Sequence, residues 1–167
     1  METSVRPPKV FYSIDELPNV FEYFQSFAEG WLKVGGIDTK EAFTLWCKSH
    51  AIAFMFPYKD TVVMLDNPII GKVVRLHLLA KNKEFFHQQE LHKQLLDYLF
   101  NALRFQRIEF IVDEHAGHSI RKYLRSMNFQ REGKLRRVAL DHSFNPPQLR
   151  DIEVWSIIRE TDKGGNV

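Results

Sequence analysis

The chain has 167 residues, enough for one domain with a buried core. Its 23 basic and 21 acidic residues leave a net charge of +2 at pH 7, which is too even a balance to indicate a nucleic-acid partner. Hydrophobic residues make up 44% of the chain, an ordinary value for a soluble globular protein, and no apolar stretch approaches the ~20 residues of a membrane-spanning helix.

The first residues do not show the charged-then-apolar pattern of a secretory signal peptide. The single cysteine, Cys47, cannot form an internal disulfide, which is typical of proteins from a reducing compartment. We therefore expect a cytoplasmic protein that does not bind membranes.

The first half of the chain predicts one strand, two helices and then three strands. The segment "KVFYSI", at 9–14, alternates like a strand. The next two segments, 18–34 and 38–50, carry apolar residues at helical spacing, and Asp38 is placed as the N-cap of the second helix. Three short runs rich in β-branched and apolar residues then predict an antiparallel meander. They lie at 51–57, 61–66 and 72–80.

The second half predicts a helix, a strand, a helix and two final strands. In chain order these elements occupy about 84–103, 107–113, about 116–128, 133–141 and 151–159. A strand, a long helix and a strand in succession require a parallel pair joined by a right-handed crossover. The complete order, β-α-α-β-β-β-α-β-α-β-β, predicts an α/β (α+β) fold with a mixed central sheet and helices on both faces. We expect a single domain at 9–160, with flexible tails at 1–8 and 161–167.

Three segments of the second half resemble one protein family. The segment "LLDYLFNALRFQRIEFIV" covers the long helix and the next strand, and "LRSMNFQREGKLRRVALD" and "LRDIEVWSIIRE" cover the end of the last helix and the two final strands. Together they resemble the GNAT superfamily of N-acetyltransferases, most of all the branch that acetylates the N-termini of ribosomal proteins. The strand histidine and the loop without glycine are also similar to those of divergent members carried by bacteriophages.

The resemblance implies acetyl-CoA as the cofactor and a primary amine as the acceptor. In the family, amides of the strand corresponding to 72–80 hold the thioester, which points to Leu76, Leu78 and Leu79. The following loop holds the pyrophosphate. Its residues in this chain are Lys81, Asn82, Lys83, Phe86 and His87.

This loop departs from the family pattern, because Glu84 and Phe86 stand where glycines are expected. A pyrophosphate needs the N–H groups of the helix's first turn, and glycine allows close approach because it has no Cβ. The carboxylate of Glu84 would repel phosphate, whereas Lys81 and Lys83 supply positive charge. We interpret the loop as either a repurposed phosphate site or a lost one.

Candidate catalytic groups lie on two strands and on the last helix. The family often places a Tyr or Ser in this helix to protonate the departing sulfur, and the chain offers Ser119 and Tyr123, each one position before the family's usual place. Glu109 and His77 are candidates for the general base, and histidine is the side chain best suited to take a proton near neutral pH. A lone strand histidine is also often a hydrogen-bonded structural residue. The residues around His115 lack regular ligand spacing, so no metal site is predicted.

Two functions fit these features. The first is an acetyl-CoA-dependent N-acetyltransferase acting on a protein N-terminus, a lysine or a small-molecule amine. The second is a catalytically inactive protein of the same fold that serves in binding or assembly, in the host cytoplasm or virion if a phage encodes it. The first helix is unusually aromatic, which predicts an exposed patch for a homodimer or a protein partner. The residues of that patch are Phe21, Phe24, Phe27 and Trp31.

Overall fold

The computed structural model describes residues 17–58, 61–81 and 83–160. The strand predicted at 9–14, both predicted tails and Asn82 lie outside the described residues. Three helices come first: α1 (Leu17–Gln25), α2 (Glu29–Val34) and α3 (Lys40–Ser49). The strands β1 (Ala53–Tyr58), β2 (Thr61–Ile69) and β3 (Val73–Ala80) follow. The second half contains a 3₁₀ turn (Glu84–His87), α4 (Gln89–Asp97), a π turn (Tyr98–Ala102), β4 (Arg107–Asp113), α5 (His118–Ser126), β5 (Gln130–Asp141) and β6 (Gln148–Ile158).

The six described strands form one mixed sheet in the order β1-β2-β3-β4-β6-β5. β3 and β4 are parallel, and every other neighbouring pair is antiparallel. Helices cover both faces, because side chains alternate along each strand and both sets are largely apolar. The mixed sheet with helices on both faces confirms the predicted fold class. Within the described residues, no helix is long and apolar enough to cross a membrane.

The two faces of the sheet have separate cores. On one face, Leu76 of β3 and Ile108 of β4 pack with Leu99 and Leu124 from the helical segments that follow β3 and β4. On the other face, Phe54, Val62 and Met64 pack against α1, α2 and α3. We call these the α4/α5 face and the α1–α3 face.

The aromatic residues of α1 point into the protein. Phe24 is fully buried, and its ring centroid lies 5.7 Å from that of Phe43 and 6.0 Å from that of Phe54. Phe21 is also buried, while Phe27 and Trp31 are half-buried and pack against the same core. The prediction of an exposed aromatic patch on these residues is therefore wrong, because the sheet and α3 cover them.

Three predicted helix boundaries also differ from the structure. The segment 18–34 forms two helices, and Ser26 after the first donates its hydroxyl to the Tyr23 carbonyl at 2.6 Å, a bond that competes with helix continuation. The N-cap of α3 is Thr39, whose hydroxyl accepts from the Ala42 N–H at 3.2 Å, and Asp38 does not have this role. The segment 84–103 begins as a 3₁₀ turn and ends as a π turn.

Candidate active site

The parallel strands β3 and β4 are paired over only part of their lengths. Their register begins at Val73 opposite Arg107 and ends at Leu76 opposite Phe110. Beyond that point β3 continues to pair with β2, and β4 continues to pair with β6. The two strands therefore diverge, and the backbone groups that face this opening do not pair across it. An extended chain can lie there and bind strand amides.

A cleft of about 410 Å³ lies on the α4/α5 face. Its walls are the 3₁₀ turn with the start of α4 on one side, and α5 on the other. The residues that line it are Lys83, Phe86, His87, Gln89, Ser119, Ile120, Lys122, Tyr123 and Ser126. The structure thus brings together five predicted site residues from two distant segments.

Lys122 and Gln89 also line the cleft but were not predicted. Lys122 follows Ser119 by three residues on α5, so the two side chains lie on one face of the helix. This spacing is the signal by which the sequence could have revealed Lys122. Gln89 had no comparable signal, because its position follows from where the 3₁₀ turn ends.

The loop before α4 satisfies part of its own backbone without glycine. The Phe86 N–H donates to the Lys83 carbonyl at 3.1 Å, and the Gln88 N–H donates to the Phe85 carbonyl at 3.0 Å. Phe85 is fully buried, with its ring centroid 4.1 Å from that of His92. Phe86 instead points into the cleft, where its ring meets the Tyr123 ring edge-on at 5.1 Å. One phenylalanine therefore anchors the loop, and the other forms part of the binding surface.

His92 connects this loop to α5. The imidazole is almost completely buried, its Nε2 donates to the Phe85 carbonyl at 2.6 Å, and its Nδ1 accepts the Tyr123 hydroxyl. The tautomer follows from the partners, because a carbonyl oxygen only accepts. Burial lowers the pKa of His92, against a smaller opposite effect of the bond to Phe85, and burial also raises the pKa of Tyr123. Both groups are therefore neutral at pH 7.

His92 was missed at the level of sequence, although its spacing contained a signal. It lies three residues before Leu95 and seven before Leu99, both of which are buried. A histidine at this spacing belongs to the inward face of the helix, where it requires hydrogen-bond partners.

A smaller cavity of about 20 Å³ lies behind Tyr123. Leu76 and Leu78 of β3 and Phe110 of β4 line it, together with His92 and Tyr123. Tyr123 contacts both this cavity and the cleft, so its side chain stands between the cleft and the diverging strands. A ligand that reaches the strands from the cleft must pass this side chain.

The pKa of His92 makes stability depend on pH. In the unfolded chain His92 takes a proton near pH 6.5, whereas in the folded protein it remains neutral to a lower pH. We therefore expect the free energy of unfolding to decrease as the pH falls from about 7.5 to about 5.5. Urea denaturation at several pH values measures this slope. The variant His92→Gln should show a shallower slope, and an unchanged slope would contradict the assignment.

His77 lies on the α1–α3 face, where its ring contacts Trp31 and Trp46, directly after the last residue of β3 that pairs with β4. Its Nε2 is 2.8 Å from Oδ2 of Asp66, and Nδ1 of His50 is 2.9 Å from Oδ1 of the same carboxylate. Burial by itself would raise the pKa of Asp66, but the hydrogen bonds and charges of the two histidines outweigh it and lower that pKa. The side chain of His77 is 23% exposed, so the ring is within reach of a ligand.

Glu109 lies on the same face as His77 but is held by two arginines. Its Oε1 is 2.8 Å from Nε of Arg107, and its Oε2 is 3.8 Å from Nη2 of Arg75. Both carboxylate oxygens are thus engaged by guanidinium groups. The geometry therefore favours a structural ion-pair role for Glu109 over the predicted base role.

The remaining predicted residues are more scattered. Leu76 and Leu78 face the α4/α5 side and line the small cavity, whereas Leu79 packs on the α1–α3 side. Lys81 is exposed and lies outside the lining of the cleft. Among the described residues, no group of three or more His, Cys, Asp or Glu side chains could hold a metal ion.

The fold is similar to that of solved acetyltransferase structures. A probable GNAT-family acetyltransferase from Chromobacterium violaceum is 19% identical, with 95% of this chain and 92% of that chain covered and a TM-score of 0.63. The ribosomal-protein-S5-alanine acetyltransferase from Vibrio fischeri is 13% identical, with 92% and 94% covered and a TM-score of 0.62. A chimeric spermidine N-acetyltransferase, derived in part from Vibrio cholerae, is 12% identical, with 90% and 95% covered and a TM-score of 0.63.

This protein therefore has the fold of the GNAT acetyltransferases, as the sequence resemblance implied. Neither a protein-family model nor a curated protein sequence matches the chain.

Proposed function

We propose that this chain, with residues 9–160 as its single domain, is a cytoplasmic acetyl-CoA-dependent N-acetyltransferase acting on a primary amine. One observation carries the proposal: the pairing of β3 and β4 ends at Leu76, His77 follows it on the α1–α3 face, and the cleft lies on the opposite face. A cofactor entering from the cleft and a proton acceptor on the far side of the sheet are the two parts that acyl transfer to an amine requires.

The cleft has the chemistry of a nucleotide site. Lys83 and Lys122 supply positive charge from opposite walls, and His87 adds a further donor at the rim. Phe86, Ile120 and the Tyr123 ring provide an apolar surface on which a base can stack. These residues fit the phosphates and the adenine of a coenzyme A ester, although no glycine allows the phosphates close to the loop backbone.

The residues at the opening then have defined roles. When bound, acetyl-CoA supplies an activated thioester. Amides of β3 near Leu78 hold the thioester oxygen, as donors positioned before the reaction begins. His77 takes the proton of the incoming amine, which makes its nitrogen nucleophilic. Tyr123, which lines both cavities, is the candidate donor of a proton to the departing sulfur. To donate it, the Tyr123 hydroxyl must turn away from His92, to which it is hydrogen-bonded.

The acceptor is a protein N-terminus, a lysine or a small amine. Two proteins of similar fold act on a ribosomal-protein alanine and on spermidine, so this fold serves both peptide and small-molecule acceptors. The amine must approach from the α1–α3 face, because the cofactor cleft occupies the other one.

A catalytically inactive protein that binds a partner is the second candidate function. It is favoured by the loop before α4, where carbonyls of Lys83 and Phe85 accept two of the N–H groups. It is also favoured by Phe86, whose side chain lies where the family pattern has glycine.

Cofactor binding separates the two functions. A ligand that binds the folded state adds about 2.7 kcal/mol to the free energy of unfolding at about 100 times its dissociation constant. We expect acetyl-CoA to raise the melting temperature accordingly, and the double variant Lys83→Ala, Lys122→Ala to lose most of this rise. Differential scanning fluorimetry measures both effects.

Lys93→Ala is the matched control, because Lys93 is exposed on α4 beside Glu90 and does not line the cleft. It should keep the full rise with acetyl-CoA. ATP tests whether the cleft binds any adenine nucleotide. If millimolar acetyl-CoA produces no rise in the wild-type protein, the acetyltransferase proposal is wrong and the inactive binding protein is favoured.

A further inference from the structure

We propose that Asp66 is a positioning residue that fixes the ring of His77 with its proton on Nε2, so that the lone pair of Nδ1 takes the proton of the acceptor amine. This inference rests on the proposed acetyl transfer. It assigns a role to a buried carboxylate on β2 that lies outside both cavities.

The hydrogen bonds of Asp66 determine which nitrogens carry protons. Asp66 is 3% exposed, and each of its oxygens lies within 2.9 Å of one imidazole nitrogen, Nε2 of His77 and Nδ1 of His50. An ionised carboxylate only accepts, so both of these nitrogens must donate. In a neutral His77 the proton is therefore on Nε2, and Nδ1 keeps its lone pair.

The sheet holds Asp66 in place for this contact. In the β2–β3 register Asp66 stands opposite Arg75, and His77 stands opposite Met64. Asp66 and His77 are thus diagonal neighbours on one face of the sheet, a separation that side chains of this length span. The Asn67 N–H donates to the His50 carbonyl at 2.8 Å and ties the end of α3 to the same strand.

Two tryptophans restrain the ring of His77 from the sides. The centroids of Trp31 and Trp46 lie 5.9 Å and 5.8 Å from the His77 centroid, and both rings meet it at 66°. Within the described residues, Nδ1 of His77 has no hydrogen-bond partner. The side chain of His77 is 23% exposed, and the proposal assigns this nitrogen to the acceptor amine.

The charged groups near His77 come from β2, β3, β4 and the end of α3. The charged and titratable groups facing this region are Asp66, His50, Arg75 and Glu109. Glu109 forms ion pairs with both Arg75 and Arg107, and Arg107 also pairs with Glu132. The carboxylate of Asp66 contacts the rings of both His77 and His50.

With this assignment, every proton and bond of the acetyl transfer is accounted for. The amine proton moves to Nδ1 of His77, a bond forms between the amine nitrogen and the acetyl carbon, and the bond between that carbon and sulfur breaks. Coenzyme A leaves as a thiolate and takes one proton from Tyr123 or from solvent. His77 then returns its proton to solvent, to which its side chain is 23% exposed.

The test compares Asp66→Asn with His50→Gln by ¹⁵N NMR of the histidine rings and by steady-state kinetics. In the wild-type protein we expect the proton of neutral His77 on Nε2. Asp66→Asn replaces a group that only accepts hydrogen bonds with an amide that also donates them, so both tautomers of neutral His77 should be populated. We expect kcat to fall about 100-fold and the KM for acetyl-CoA to stay within about twofold of the wild-type value. His50→Gln should retain the tautomer and keep kcat within about threefold of the wild-type value, because His50 does not contact the acceptor.

The acceptors used are spermidine, a lysine-containing peptide and a peptide with an N-terminal alanine. A wild-type His77 that carries its proton on Nδ1 overturns the inference, and this measurement does not require any variant to fold. An Asp66→Asn protein with unchanged tautomer and kcat overturns it as well. If acetyl-CoA binds but no acceptor is acetylated, the proposed function fails, and the NMR result alone decides whether Asp66 positions His77.

Discussion

Replacing Phe85 with alanine is expected to lower the free energy of unfolding by about 3–5 kcal/mol, the usual cost of truncating a fully buried phenylalanine. The side chain is 0% exposed, and its ring packs edge-on against His92. Its backbone carbonyl accepts the hydrogen bond that orients the same histidine. The cavity left by the ring would therefore loosen the loop, α4 and the contact with Tyr123 together. Chemical denaturation measures the loss directly.

Phe86→Ala is the matched comparison, because it removes the same side chain one residue later. Phe86 is half-buried and lines the cleft, so we expect a smaller loss of about 1 kcal/mol together with weaker acetyl-CoA binding. Equal losses for the two variants would show that Phe85 does not anchor the loop. A loss of stability without any change in acetyl-CoA affinity in Phe86→Ala would remove Phe86 from the binding surface.

Phe85 and Phe86 show how the loop accommodates large side chains where the family pattern has glycine. In the family pattern, glycine allows a phosphate close to the backbone. Here a 3₁₀ turn points Phe85 into the core and leaves Phe86 at the mouth of the cleft. Lys83 and Lys122 line opposite walls of this cleft. Under the proposed function, lysine side chains replace the backbone contacts that glycine permits in the family pattern.

The sheet was predictable from the sequence, because its strands are short apolar runs separated by turns. The strand pairs that the structure describes occur in the predicted elements, and the parallel pair of β3 and β4 follows from the helix between them. Helix ends were less predictable. Hydrogen bonds of the Ser26 and Thr39 hydroxyls determine where α1 ends and where α3 begins. Moving a cap by one residue does not change the spacing of the apolar residues, so the sequence pattern does not reveal it.

The site was predictable where one segment carries its residues, and not where several segments meet. Ser119 and Tyr123 share a helix face, so their common place in the cleft follows from spacing. The contact of Asp66 with His77 and His50 depends on the register of β2 and β3 and on where α3 ends. A sequence does not specify such a register, and Asp66 therefore gave no sign of a role.

His77→Gln is expected to lower kcat at least about 100-fold, the lower end of what a general base contributes. Glutamine can still donate a hydrogen bond to Asp66 from its amide, so the buried carboxylate keeps a partner and the fold should persist. It has no nitrogen that accepts a proton at neutral pH. The affinity for acetyl-CoA should stay within about twofold, because His77 lies on the face opposite the cleft. Release of the coenzyme A thiol measures turnover.

Glu109→Gln is the decisive comparison, since Glu109 is the other candidate base on the same face of the sheet. We expect it to lose less than about tenfold in kcat and to be less stable, because Arg107 and Arg75 lose the negative charge that they share. If Glu109→Gln loses more turnover than His77→Gln, the base is Glu109, and the ion pairs must open when the acceptor binds. If both variants match the wild-type rate, neither side chain takes the proton, and the amine must arrive already deprotonated.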